Sequence, residues 1–156
     1  MPCRVFWSHK VWVSDLSENM IAIANNLFPN QDFVRVGAEY FKVATQPSII
    51  VANSVFQYFS DLNHAKRVIE NVVGNNPISF AFLDIPRGTL ENQYELRSGP
   101  HDSNQLRHLL YSENFFKSNI DSSVYDVEIK SQDIRGYSQS KTRFNVFGRK
   151  RIESSF

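Results

Sequence analysis

Two apolar runs in this chain, VWV at residues 11–13 and ISFAFL at 78–83, are each closed by an aspartate, Asp15 and Asp84. Amphipathic helical patterns alternate with these runs, and that alternation constrains the fold more than any other feature. Ser17 is a good N-cap, and Met20, Ile23, Ala24 and Leu27 follow at i, i+3, i+4, i+7 spacing. Pro29 and Asn30 close the helix this predicts. Residues 33–36 (FVRV) read as the next strand, turning at Gly37. Residues 48–56 (SIIVANSVF) form a near-continuous apolar run, the mark of a strand covered on both faces. Asp61 caps a second helix with Ala65, Val68, Ile69 and Val72 on one face, and Gly74 and Pro77 stop it. Residues 78–86 then read as another buried strand. Strands and helices in this order predict a parallel sheet with covering helices.

The end of the chain changes character. A polar stretch at 88–105 and a helical or mixed segment around 106–116 precede strict alternation, Tyr125, Val127 and Ile129 against Asp126, Glu128 and Lys130. A turn region with Gly136 leads to TRFNVFG at 142–148, which predicts an antiparallel hairpin. With 156 residues, 42% hydrophobic and 21% charged, the chain is expected to form one folded domain over 1–156. A net charge of +1 gives no bulk electrostatic reason for a nucleic-acid partner. One cysteine, Cys3, excludes an internal disulfide framework and a multi-thiolate zinc cluster, and fits a reducing, cytoplasmic setting. No apolar run approaches the roughly 18–20 residues of a membrane span, and the start lacks a secretory signal pattern. Neither a membrane nor a metal is expected.

In this order and spacing, VWVSDLSENM, FVRVGAE, IIVANSVFQYF, FAFLDIP and GYSQSKTRFNVFGRK resemble the class I S-adenosylmethionine-dependent methyltransferases over about residues 10–150. The resemblance implies a Rossmann-like α/β fold: a mostly parallel sheet with flanking helices and a C-terminal antiparallel β-hairpin. It also implies S-adenosylmethionine as cofactor and methyl transfer to a small-molecule acceptor. RHLLYSENFF with SKTRFNV is similar to enzymes of carbohydrate or cell-surface biosynthesis. In the family a glycine-rich turn follows the first strand. The match here begins at the family's second strand, and the first glycine is Gly37. The fold is therefore expected to be N-terminally incomplete, with exposed strand edges that favour self-association. The alternative is a non-catalytic, methyltransferase-like remnant serving as an interaction or assembly module, or a truncated inactive product.

Asp15, with Leu16 beside it, stands where the family's acid grips the ribose hydroxyls; the alternative is a helix cap completed by Glu18. Met20 lies against adenine by family position, or opens the helix's core stripe. Ala38 and Glu39 fall at the adenine edge, Ala38 through its backbone N–H; Glu39 also reads as a solvated loop acid. Asn53 and Ser54 on the cofactor side, and Gln57 on the acceptor side, sit at a strand exit near the reactive methyl; NSVFQYF also reads as a helix entry. Tyr58 is a pocket wall or core. Asp84 orients or deprotonates the acceptor, or is a turn aspartate. His108 is the general-base candidate, or a hydrogen-bonded structural histidine, and Tyr111 is a substrate contact. Ser140, Arg143 and Asn145 face the acceptor, Arg143 suited to a carboxylate or phosphate, or Arg143 guards a hairpin edge.

Overall fold

The computed structural model describes residues 11–88, 94–98 and 105–152, and the chain falls into two compact units, 1–41 and 42–156. In the first, β1 (Trp12–Asp15) and β2 (Asp32–Arg35) pair in parallel, Asp15 opposite Arg35. They are joined by α1 (Glu18–Leu27). Ser17 caps this helix, its Oγ accepting the Met20 N–H at 3.3 Å. Glu18 sits in the first turn, where it complements the helix dipole, and ion-pairs with Arg35 at 3.0 Å. The apolar stripe departs from expectation: Met20, Ile23 and Leu27 are each more than half exposed, and α1 buries no residue. A ten-residue helix joining two four-residue strands has too little surface opposite it to cover such a stripe.

The second unit contains β3 (Ile49–Asn53), a 3-10 turn (Phe56–Tyr58), α2 (Leu62–Gly74), β4 (Ser79–Pro86), β5 (Tyr94–Ser98), β6 (Gln105–Leu109), α3 (Glu113–Asn119), β7 (Tyr125–Ser131), a second 3-10 turn (Ser140–Thr142) and β8 (Arg143–Lys150). Its main sheet has the order β3-β4-β8-β7. β3 and β4 run parallel, and β8 is antiparallel to both β4 and β7. The closing hairpin is thus as expected. β5 and β6 form a separate antiparallel pair inside the stretches expected to be polar or mixed; residues 89–93 and 99–104 lie outside those described.

The run at 48–56 is not a strand covered on both faces. β3 alternates, with Ile49 and Val51 59% and 54% exposed. It stops where Ser54 turns to φ +54, a left-handed conformation outside the extended range. Phe56 then enters the core from the 3-10 turn. That core gathers Phe56, Phe80, Phe82, Ile85, Tyr111, Phe116, Phe144 and Val146 with the buried face of α2. Gly148 is needed for it: an added Cβ would stand 2.0 Å from the Phe80 ring.

α2 follows the sequence closely. It buries Ala65, Val68, Ile69 and Val72, and Asp61 caps it by accepting the His64 N–H at 2.8 Å. That bond, with the Ser60 hydroxyl, holds the Asp61 carboxyl below the ordinary carboxylate value of 3.8. A depressed folded-state value means the added stability is present above pH 3.8 and is lost as pH falls through the lowered value. Asp61→Asn keeps the capping oxygen but not the charge, so the loss of melting temperature between pH 7 and pH 3 is expected to be smaller than in the wild type.

Candidate active site

The carboxyl ends of the parallel strands β3 and β4 are where open α/β sheets place their ligands. Both ends are distorted here. Ser54 and Asp84 adopt φ +54 and φ +60, conformations that cost of order 1–3 kcal/mol in a non-glycine residue. Asp84 lies within the irregularity that breaks β4's register with β8 between Phe82 and Ile85. The two corners are tied together. The Ser54 N–H donates to the Leu83 carbonyl at 3.0 Å, and the Ser54 hydroxyl donates to Asp84 Oδ2 at 2.7 Å. Asn145 on β8 accepts the Asp84 N–H through Oδ1 at 2.9 Å.

Arg143, the first residue of β8, lies beneath them at 2% exposure. It donates through Nη1 to Gln57 Oε1 and to the Asp84 carbonyl, the latter at 3.1 Å. Nη2 donates to Gln139 Oε1 at 2.9 Å. Its Nε stands 3.9 Å from Asp84 Oδ1, and both atoms lack a hydrogen-bond partner. Tyr137 completes the group: its hydroxyl lies 3.5 Å from Asp84 Oδ2 and 3.4 Å from Gln139 Oε1. The main sheet, the turn after β3 and the β7–β8 connection all converge on one carboxylate.

Of the residues singled out from sequence, Ser54, Gln57, Asp84 and Arg143 are thus brought together with Asn145. Asn53 is exposed at the end of β3. Ser140 is buried, its Oγ accepting the Ile134 N–H at 2.7 Å, which braces the connection carrying Tyr137 and Gln139. Tyr111 is in the core, its hydroxyl donating to the Phe56 carbonyl at 2.8 Å. His108 is buried in β6 with its ring edge-on to exposed Tyr58, centroids 5.3 Å apart. Tyr137 and Gln139 escaped the sequence reading because they lie in an aperiodic connection, where only their polarity marks them.

In the first unit, Asp15 ends β1, and its Oδ1 accepts the Ser17 N–H at 2.7 Å. This local turn holds the carboxylate at the helix entry. Leu16 and Met20 are exposed nearby along the chain, and the Leu16 carbonyl accepts from Arg35 Nε at 3.2 Å. Gly37 is buried, with the Glu39 carboxylate 2.6 Å from where its Cβ would stand. A carboxylate at a strand end with exposed apolar side chains beside it fits the ribose and base of a nucleoside cofactor. No glycine-rich turn precedes Asp15 among the described residues. An open depression of about 840 Å³ on the second unit, lined by Ile49, Phe80, Tyr125, Phe147 and Arg149 among others, includes none of the strand-end residues.

No family model matches the sequence, and no curated protein matches it. Solved structures do match. A S-adenosylmethionine-dependent methyltransferase from Methanosarcina mazei aligns with TM-score 0.68 and 13% identity, over 92% of this chain and 83% of that one. The N-methyltransferase NodS from Bradyrhizobium japonicum, in complex with S-adenosyl-L-homocysteine, aligns at 0.64 and 15%, over 92% and 67%. CalS10, an amino pentose methyltransferase from Micromonospora echinaspora with S-adenosylmethionine bound, aligns at 0.68 and 8%, over 91% and 74%. The chain therefore has the Rossmann-like α/β fold of the class I S-adenosylmethionine-dependent methyltransferases.

Proposed function

We propose that this chain binds S-adenosylmethionine and catalyses methyl transfer to a small-molecule acceptor. The observation that carries the reading is the cross-linked pair Ser54 and Asp84, held in left-handed conformations at the carboxyl ends of β3 and β4, on a fold shared with these enzymes. When bound, the cofactor supplies a methyl group already activated on a sulfonium. The protein's work is then to position the acceptor and exclude water. Asp15 takes the ribose hydroxyls through its second oxygen, Leu16 and Met20 contact the base, and the Ala38 N–H meets the adenine edge with Glu39 beside it. In the second unit, Asp84 holds the acceptor, with Ser54 bonded to it and Asn53 preceding Ser54 at the end of β3. His108, Tyr58 and Tyr111 support the same region through the packing of β6 on the 3-10 turn that carries Gln57. A carbohydrate acceptor is favoured by one of the structural relatives, described as an amino pentose methyltransferase.

S-adenosylhomocysteine at 100 times its dissociation constant is expected to stabilise the native chain by about 2.7 kcal/mol, a rise of roughly 5–10 °C in a thermal melt. Asp15→Ala is expected to weaken this binding about tenfold or more, the size of a lost charge-assisted hydrogen bond. A folded sample whose melt does not respond to the ligand overturns the reading and leaves a chain with the fold but no cofactor site.

A further inference from the structure

We infer that the acceptor recognised at the Ser54–Asp84–Tyr137 cluster is an amine. This rests on the methyltransferase reading and adds the chemical class of the acceptor. The argument is the direction of the hydrogen bonds. The Ser54 hydroxyl proton is committed to Asp84 Oδ2 at 2.7 Å. The Tyr137 hydroxyl proton faces Asp84 Oδ2 at 3.5 Å and Gln139 Oε1 at 3.4 Å. With both protons turned inward, Ser54 Oγ, Asp84 Oδ2 and Tyr137 Oη offer lone pairs to a ligand. Such a cluster binds groups rich in N–H or O–H and rejects groups that bring only oxygen acceptors.

Charge narrows the choice. The cation nearest the cluster, Arg143, is 2% exposed and has already given hydrogen bonds to Gln57, Gln139 and the Asp84 carbonyl. It neutralises Asp84 from beneath and does not reach a ligand, so a carboxylate or phosphate would meet the Asp84 carboxylate without a counter-cation. Arg143 is accordingly a positioning residue for Asp84, not the anion contact its side chain suggested in the sequence. Between the remaining donors, an alcohol must lose its proton to become a good nucleophile, and a carboxylate is a weak base for that step. A neutral amine needs no such help. Its lone pair forms the new carbon–nitrogen bond, the carbon–sulfur electron pair stays on sulfur, and the product keeps its proton as an ammonium hydrogen-bonded to Asp84 Oδ2 until it is released to water.

The test is an NMR titration of the full chain with glucosamine, N-acetylglucosamine and glucuronate. Glucosamine is expected to shift the backbone amides of Ser54, Asp84 and Tyr137 and to bind about tenfold or more tightly than the other two, the value of one hydrogen bond to a charged group. Asp84→Asn should remove that preference. Should this variant fail to fold, Tyr137→Phe deletes one lone-pair oxygen, leaves the Asp84–Arg143 pair in place and should weaken glucosamine about threefold. Equal binding of the three sugars, tighter glucuronate, or shifts confined to other residues overturns the inference. S-adenosylhomocysteine separates the two levels. A chain that takes it without preferring glucosamine keeps the methyltransferase reading and loses the amine; one that prefers glucosamine without taking it does the reverse.

Discussion

Asp84→Ala is expected to lower stability by about 3–5 kcal/mol, the usual cost of removing one partner of a buried ion pair, and to lower the melting temperature by roughly 6–20 °C. Arg143 is 2% exposed and Asp84 14% by side chain, so solvent screens little of the charge left behind. The guanidinium would keep the carbonyls of Gln57, Gln139 and residue 84 as dipolar partners, but none carries a compensating charge. Arg143→Met in the same background removes the orphaned cation, so the double variant should be more stable than Asp84→Ala alone. Thermal melts of the four proteins of this cycle give the coupling directly. A loss below about 1 kcal/mol for Asp84→Ala would mean that the pair contributes nothing beyond its neutral hydrogen bonds.

The same network explains how two left-handed residues persist next to each other. Each would relax if the chain at that point were free. Ser54 is fixed by its N–H on Leu83 and its hydroxyl on Asp84; Asp84 is fixed by Asn145 on its N–H and Arg143 on its carbonyl. Strain of this kind survives only where the surroundings over-determine the backbone. A residue held through its N–H, its carbonyl and one carboxylate oxygen is set in place before any ligand arrives, which suits a reaction whose protein contribution is alignment.

Much of this was legible from local rules. The α2 cap and its four buried positions follow from one aspartate and a 3.6-residue period, and the β7–β8 hairpin from strict alternation. Asp84 stands out in the sequence as the acid that closes an apolar run. The failures have a common cause. Apolar spacing reports which side chains prefer burial, not whether anything covers them, so the stripe of α1 and the outer residues of β3 carry a core-like pattern although Ile23 and Val51 lie more than half exposed. The Arg143 environment was hidden for a different reason. Its partners Gln57, Asp84 and Gln139 are brought together by sheet order, and Gln57 and Arg143 lie 86 residues apart.

Phe56→Ala is expected to cost about 3–5 kcal/mol, measured as a lower midpoint of urea unfolding at an unchanged slope. Phe56 is 1% exposed, and its ring meets Phe59, Phe82, Tyr111 and Phe116 at centroid distances of 5.1, 4.9, 5.7 and 5.3 Å. Four aromatic neighbours held by separate elements cannot all move in to fill the space, so a cavity remains and its full cost is felt. Phe56→Leu keeps most of the volume and should lose only about 1–2 kcal/mol. The effect also reaches the strand ends. The Phe56 carbonyl accepts the Tyr111 hydroxyl at 2.8 Å, and the next residue, Gln57, gives its side-chain oxygen to Arg143. A shift of this 3-10 turn therefore loosens Arg143 and, through it, Asp84. Phe56→Ala should weaken glucosamine binding while leaving enough structure to melt cooperatively, whereas Phe56→Leu should keep that binding near the wild-type level. Wild-type stability in Phe56→Ala would show that the aromatic cluster collapses around the gap and that the core is softer than its ring geometry indicates.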